Sequence, residues 1–159
     1  MKLRICNECF PKRQRALLGK AFLILTRKLG IHEFNGTIEL HSRLKNDEYA
    51  GVGPTAEDAV AALQGKPVRN FVMNINWDEL GGYQTLVALC REMVHVKQWL
   101  TAALGVWEDS EGVLRQSWHN YKIAQKDNVP YEKRPWELEA HDQMCQLAAW
   151  VHTKMKEGT

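Results

Sequence analysis

A long helical pattern between residues 81 and 104 constrains the fold of this chain more than any other segment. Its apolar residues recur every three or four positions, which is the spacing of one helix face. They are Leu86, Leu89, Met93, Val96, Leu100 and Leu104. Arg91 and His95 lie one turn apart on the opposite side, with Glu92 at its flank. The pattern predicts a long helix that buries its apolar face and turns its polar face to water or to a second helix.

A second helical pattern covers residues 136–156, near the end of the chain. Its apolar stripe consists of Trp136, Ala140, Met144, Leu147, Val151 and Met155. Glu137 and His141 lie at the edge of this stripe, whereas Glu139 and Asp142 point away from it. An unpaired charge at a buried edge costs on the order of several kcal/mol. We therefore expect the polar face of the 81–104 helix to supply the partners. A purely structural contact between the two helices is the alternative interpretation.

The rest of the chain predicts short strands and helices within one α+β domain. In chain order these are a leading strand, a helix over 11–29, a strand over 37–44 with 49–53 as its partner, a short helix capped by Thr55, a strand over 68–77, and a hairpin turn at 109–112. This order favours a small sheet beside the long helix and the C-terminal helix, and it does not favour a doubly wound sheet.

Length and composition restrict the class of protein. The chain has 159 residues and a formal net charge of +2, which is typical of a single globular domain. These values argue against a disordered chain and a polybasic tail. No apolar run reaches the ~18 residues of a membrane span, and residues 1–10 lack the features of a secretory signal. We therefore expect a cytoplasmic protein.

Positive charge is concentrated in the first thirty residues, which carry eight Lys or Arg and one Glu. Their net charge is +7, and that of the remaining residues is −5. A basic first helix can face the phosphates of a nucleic acid or an acidic protein. The competing interpretation is a solvated helix face, because no aromatic residues are interleaved with the charges to stack on bases.

The four cysteines are Cys6, Cys9, Cys90 and Cys145. Cys6 and Cys9 form a CxxC motif without a second CxxC or a nearby pair of histidines to complete a zinc site. The simplest interpretation is a pair of free thiols between the first strand and the first helix. Redox chemistry and partial metal binding are the alternatives.

The polar residues of the two long helices also resemble a known pattern. Glu92-x-x-His95 followed by Glu137 resembles the HExxH…E motif of gluzincin-type zinc metallopeptidases, especially small zincin-like proteins common in phages and prophages. Two blocks carry the resemblance: Glu92-Met-Val-His-Val-Lys-Gln98 is similar to a helix reading HEMVHVxQ, and Arg134-Pro-Trp-Glu-Leu-Glu-Ala-His141 to a segment reading RPWExEA. The resemblance covers residues 80–156 and implies one zincin-like domain over 1–159.

The resemblance also implies roles for individual residues. His95 corresponds to the second imidazole ligand of a Zn²⁺ ion, and Glu137 to the carboxylate ligand. Glu92 corresponds to the general base that takes a proton from the zinc-bound water. His141 falls where relatives often carry an Asp that orients a ligand, so it is either such an orienting residue or a replacement ligand.

Arg91 departs from this pattern, because it stands where the first zinc-binding His belongs. A guanidinium only donates hydrogen bonds and cannot bind a cation. Arg91 could instead form an ion pair with Glu137 or Glu92. Three outcomes are therefore open: a metal-free relative of the peptidases, a zinc site rebuilt from His95, Glu137 and His141, or a helix pair without that ancestry.

The resemblance implies a metallopeptidase-like protein that binds a polypeptide in the cleft between the His95 and Glu137 helices. Because of Arg91 we expect it to be catalytically degenerate, and hydrolysis of the polypeptide is the alternative. By analogy with zincins, residues 68–76 would present a sheet edge to an extended substrate. The alternative is a non-enzymatic phage-type protein that binds a host protein or nucleic acid through its basic first helix.

Overall fold

The computed structural model describes residues 2–6, 11–41, 50–64, 66, 68–76, 82–119, 121–122 and 129–157. These residues form four α-helices and two small β-sheets. The elements are β1 (Lys2–Cys6), α1 (Lys12–Leu29), β2 (Asn35–His41), β3 (Ala50–Pro54), α2 (Ala56–Leu63), β4 (Asn70–Asn76), α3 (Gly82–Leu100), β5 (Leu104–Glu108), β6 (Leu114–Trp118), β7 (Tyr121–Lys122) and α4 (Pro135–Glu157). A 3₁₀ turn at Tyr131–Lys133 precedes α4. The predicted α+β class, with a small sheet, a long helix and a C-terminal helix, is confirmed.

Local sequence signals set the end of α1 and the start of α2 as predicted. Gly30 ends α1 in the left-handed conformation, with φ 70°, and its backbone N–H donates to the carbonyl of Arg27. Thr55 caps α2, since its side-chain oxygen accepts from the backbone N–H of Asp58 at 3.4 Å.

The strand order of the larger sheet is β1-β2-β4-β3. β1 and β4 both run parallel to β2, whereas β3 runs antiparallel to β4. The predicted pairing of 49–53 with the strand over 37–44 is therefore wrong, because β4 takes the place beside β2 and β3 joins the far side of β4. The backbone N–H of Thr55 extends the β3–β4 ladder by donating to the carbonyl of Asn70 at 2.9 Å.

The same strand order corrects the predicted sheet edge. β4 lies between β2 and β3, so residues 68–76 do not present an edge, and among the described strands the edge on this side is β3. Phe71, Met73 and Ile75 of β4 are buried in the core, as expected of a strand inside the sheet.

The core lies between the larger sheet and the helices α1, α3 and α4. Its fully buried side chains include Phe22 of α1, Ile38 of β2 and Met93 of α3. α4 packs along α3, and Ala140, Ala148 and Val151 of α4 are fully buried. The apolar faces predicted for the two long helices thus enter one core.

α3 ends four residues before the predicted helix end at Leu104. Ala102 adopts a positive φ of 57°, which breaks the helix, and Leu104 begins β5. β5 and β6 form a hairpin around the predicted turn at 109–112, where the carboxylate of Asp109 accepts from the backbone N–H groups of Glu111 and Val113, each at 2.9 Å. Within the described residues, no helix is long and apolar enough to cross a membrane.

Candidate functional site

Four of the predicted site residues of α3 and α4 meet at the interface of the two helices: Arg91, Glu92, His95 and Glu137. The Arg91 Nη1 group donates to Glu92 Oε1 at 2.9 Å, and Nη2 donates to Glu137 Oε2. His95 Nε2 lies 3.4 Å from the same Glu137 oxygen. The guanidinium therefore joins two carboxylates, one from its own helix and one from α4.

Tyr131 is a fifth member of this group and was not predicted from the sequence. It belongs to the 3₁₀ turn before α4, and its hydroxyl accepts from Arg91 Nη2. The guanidinium carbon of Arg91 also lies 5.7 Å from the centre of the Tyr131 ring. We call Arg91, Glu92, His95, Tyr131 and Glu137 the Arg91 cluster. Tyr131 was missed because nothing in its local sequence indicates which helix its turn faces.

Burial makes these contacts strong. The exposed fraction is 1% for Glu92, 6% for His95 and 8% for Glu137, and 22% for the side chain of Arg91. Ionised groups withdrawn from water in this way must be paired to be tolerated. Arg91 is the permanent cation that pairs with both carboxylates.

The pKa shifts follow from this arrangement. Burial favours a lower pKa for Arg91, but the charges of Glu92 and Glu137 outweigh it and raise the pKa of the guanidinium. Burial favours a higher pKa for Glu137, but the hydrogen bond to His95 and the charges of His95 and Arg91 lower it below its usual range. For Glu92 burial dominates, so the pKa of its carboxyl is raised even beside Arg91.

Gln98, one turn after His95, fixes the orientation of the imidazole. Gln98 Nε2 donates to the Trp136 carbonyl at 3.0 Å and to Glu139 Oε2 at 2.9 Å. Its Oε1 is therefore the acceptor, and His95 Nδ1–H donates to it at 2.8 Å. Glu139 was predicted to point away from the apolar stripe, which is wrong, because its side chain is long enough to reach Gln98 on α3.

Because the Nδ1 proton of His95 is donated to Gln98, the proton on Nε2 decides how His95 interacts with Glu137. With the Nδ1 proton committed to Gln98, the contact of Nε2 with the Glu137 carboxylate is attractive when Nε2 is protonated as well. Burial lowers the pKa of His95, but the hydrogen bond to Glu137 and the charge of Glu92 outweigh it and raise this pKa. Glu137 thus lies between Arg91 and His95, and protonation of His95 places a second cation beside it.

This arrangement predicts a pH dependence of stability. The pKa of His95 is raised in the folded protein, so its contribution is complete below the unfolded value of about 6.5 and is lost as pH rises through the folded pKa. We expect the free energy of unfolding to fall as pH rises above about 6.5 in the wild type, and to fall less in His95→Gln. Urea unfolding at several pH values measures both slopes. Equal slopes would assign the loss to other groups.

A cleft of about 670 Å³ opens beside the Arg91 cluster. Ala50 and Gly51 of β3 line one part of it, and Leu138 and His141 of α4 line another. Arg91 and Glu137 face the same cleft, together with Tyr131 and Glu132. The cleft is therefore bounded by a sheet edge and by the two helices that carry the cluster.

His141 differs from the other predicted ligands in its exposure. It is exposed and lines the cleft, whereas His95 and Glu137 are buried. Across the described ranges, no three His, Cys, Asp or Glu side chains converge in a group that could hold a metal ion. Of the three proposed ligands His95, Glu137 and His141, the first two contact each other.

Two other sequence predictions fall elsewhere. The side chain of Cys6 and all of residues 7–10 lie outside the described residues, so the CxxC motif stays a prediction. On α1, Lys12, Arg13, Arg27 and Lys28 are exposed, and Lys28 Nζ lies 5.0 Å from the Trp150 ring of α4. A nucleic-acid or protein partner for this basic helix also stays a prediction.

Chemically, the Arg91 cluster presents fixed positive and negative groups at the wall of a cleft. Its members can donate to and accept from a bound chain, and Glu92 is the most deeply buried of them. Comparisons of the chain with protein-family models, with curated proteins and with solved structures found no match.

Proposed function

We propose that this protein is a zincin-like domain that binds an extended polypeptide in the cleft between β3, α3 and α4, and that the guanidinium of Arg91 replaces the zinc ion of the peptidases it resembles. One observation carries the proposal. Arg91 donates to both Glu92 and Glu137, the two carboxylates that the resemblance assigns to the general base and to a zinc ligand. A fixed cation thus joins the residues that a metal ion would otherwise organise.

The residues do not fit a zinc ion in this arrangement. A guanidinium has no lone pair to offer to a metal ion. It also already donates a hydrogen bond to Glu137 Oε2, the oxygen that would face the metal. A site rebuilt from His95, Glu137 and His141 is the competing arrangement, and it requires Arg91 to leave Glu137. We therefore derive no hydrolytic step and infer binding as the main activity. By the same resemblance, we expect a phage or prophage origin. A cytoplasmic location stays an expectation from the sequence.

The cleft supports a polypeptide ligand for two reasons. First, β3 is the edge of the sheet among the described strands, and an extended chain can add to such an edge through backbone hydrogen bonds. Second, Leu138 and Tyr131 line the cleft with large, half-exposed apolar surfaces, at 49% and 53% exposure, that a bound side chain can cover. Together they provide backbone pairing and side-chain contacts.

We expect Leu138→Asp to weaken polypeptide binding at least about tenfold, because it removes apolar contact and adds a negative charge to the cleft wall. Fluorescence polarisation with fluorescein-labelled casein, an unfolded polypeptide, measures the binding, and the release of labelled fragments from the same probe measures hydrolysis.

Leu114→Asp is the matched control. Leu114 is equally apolar and 55% exposed, but it lies on β6 and does not line the cleft. Its variant should bind casein like the wild type. Equal losses in both variants, or no binding of casein by the wild type, would contradict the proposed cleft.

A further inference from the structure

The interface between α3 and α4 has a defined register. At one end, Gln98 contacts Trp136 and Glu139. At the other, the rings of Tyr83 and His152 lie 5.8 Å apart. Positions early in α3 thus face positions late in α4, so the two helices run antiparallel.

Two cysteines lie at matching positions along this interface. Cys90 is seven residues after Tyr83 on α3, and Cys145 is seven residues before His152 on α4. Seven residues are about two helical turns, or about 10 Å, and keep nearly the same helix face. Both steps therefore lead from the Tyr83–His152 contact to the same level of the interface, so Cys90 and Cys145 lie at the same height on adjacent helices.

The two thiols differ in their access to solvent. Cys90 is fully buried, whereas Cys145 is exposed. Burial, together with the nearby charge of Cys145, raises the pKa of Cys90 to about 12. Cys145 is therefore the thiol that a dissolved oxidant reaches first, and Cys90 lies beneath it, protected from other reagents.

We propose that Cys90 and Cys145 are a modification site at which a reversible disulfide cross-links α3 to α4, independently of what the cleft binds. The oxidant is a low-molecular-weight disulfide such as glutathione disulfide. The thiolate of Cys145 attacks one of its sulfurs and releases one glutathione thiolate. The Cys90 sulfur then attacks the Cys145 sulfur, and the Cys90 proton passes to the departing glutathione sulfur, which leaves as the second glutathione in its thiol form. Two protein thiols are oxidised, and one glutathione disulfide is reduced.

The cross-link acts on the two helices that form the candidate site. Cys90 is the neighbour of Arg91, and Cys145 lies two turns after Glu137 on α4. A covalent bond here fixes the separation of the helices that hold the Arg91–Glu137 ion pair. It also closes a long loop of the chain, which raises the stability of the folded state.

The test incubates the whole protein in glutathione buffers of increasing oxidised fraction, followed by peptide mapping under non-reducing conditions. We expect one peptide pair linked through Cys90 and Cys145, reversed by dithiothreitol. The oxidised protein should unfold about 10 °C higher than the reduced protein. Cys145→Ser, a change at an exposed position, should show neither the link nor the shift.

Two outcomes would overturn the proposal. One is a stable glutathione adduct on Cys145 with Cys90 still a free thiol, which would mean that the sulfurs do not meet. The other is a link from Cys145 to Cys6 or Cys9, which would assign the reactivity to a different pair.

Discussion

Replacing Arg91 with Met should lower the free energy of unfolding by about 3–5 kcal/mol near pH 7. Methionine is apolar and has a side chain of similar length, so the substitution removes the cation that pairs with Glu92 and Glu137. Both carboxylates are buried and would remain in place without Arg91. Urea unfolding followed by circular dichroism measures the loss.

Lys154→Met is the matched control for this change. Lys154 also forms an ion pair, with Glu157, but both side chains are about half exposed. Removing an exposed pair typically changes stability by less than about 1 kcal/mol. A loss of similar size in both variants would mean that burial does not strengthen the Arg91 cluster.

The pH dependence of the Arg91→Met defect tests its cause. The pKa of Glu137 is lowered in the folded protein, so its contribution is present above its ordinary value of about 4.3 and is lost as pH falls through the folded pKa. The difference between wild type and Arg91→Met should therefore be large near neutral pH and shrink in acid. A difference that does not vary with pH would point to packing and not to charge.

Arg91→His should create a zinc site at the Arg91 cluster. The change supplies the imidazole one turn before His95, and it removes the guanidinium from Glu137. We expect the affinity for zinc to rise by at least about a thousandfold, to one ion per chain. Competition with a chromogenic zinc chelator at neutral pH measures both affinity and stoichiometry.

Two further measurements decide between the possible origins of the site. Arg91→His combined with Glu137→Ala should lose the new zinc, since Glu137 would be a ligand. Zinc bound by the wild type at one ion per chain, and lost in Glu137→Ala alone, would instead support the site rebuilt with His141. An Arg91→His protein that neither binds zinc nor changes in stability would show that the zincin alignment is wrong.

Features of the fold set by nearby residues were predictable from the sequence. The end of α1 at Gly30 and the start of α2 at Thr55 depend on residues a few positions apart, and so does the turn at Asp109. The order of strands was not predictable, because period-two alternation in β4 does not tell which strands lie beside it. The end of α3 was missed because Leu104 continues the helical spacing although it is already in β5.

The residues of the candidate site were likewise predictable only where the sequence spacing indicates a contact. The helical spacing of Arg91, His95 and Glu137 indicated that these side chains could meet across two helices. Gln98 had a usable signal, since it lies three residues after His95 on the same face. Tyr131 had none, because its contact with Arg91 depends on how the turn before α4 approaches α3.

The backbone groups of β3 alternate between facing β4 and pointing outward, and this alternation limits how a further strand can pair with β3. Because Thr55 N–H donates to Asn70 on β4, backbone groups alternate so that Gly51 and Gly53 also face β4. The amides of Ala50 and Val52 then point outward, and Pro54, the next outward position, has no N–H to offer. A second strand can thus receive only two amide donors from β3. Such a short ladder favours transient pairing with a single peptide and opposes the propagating strand-to-strand assembly by which sheet edges form aggregates.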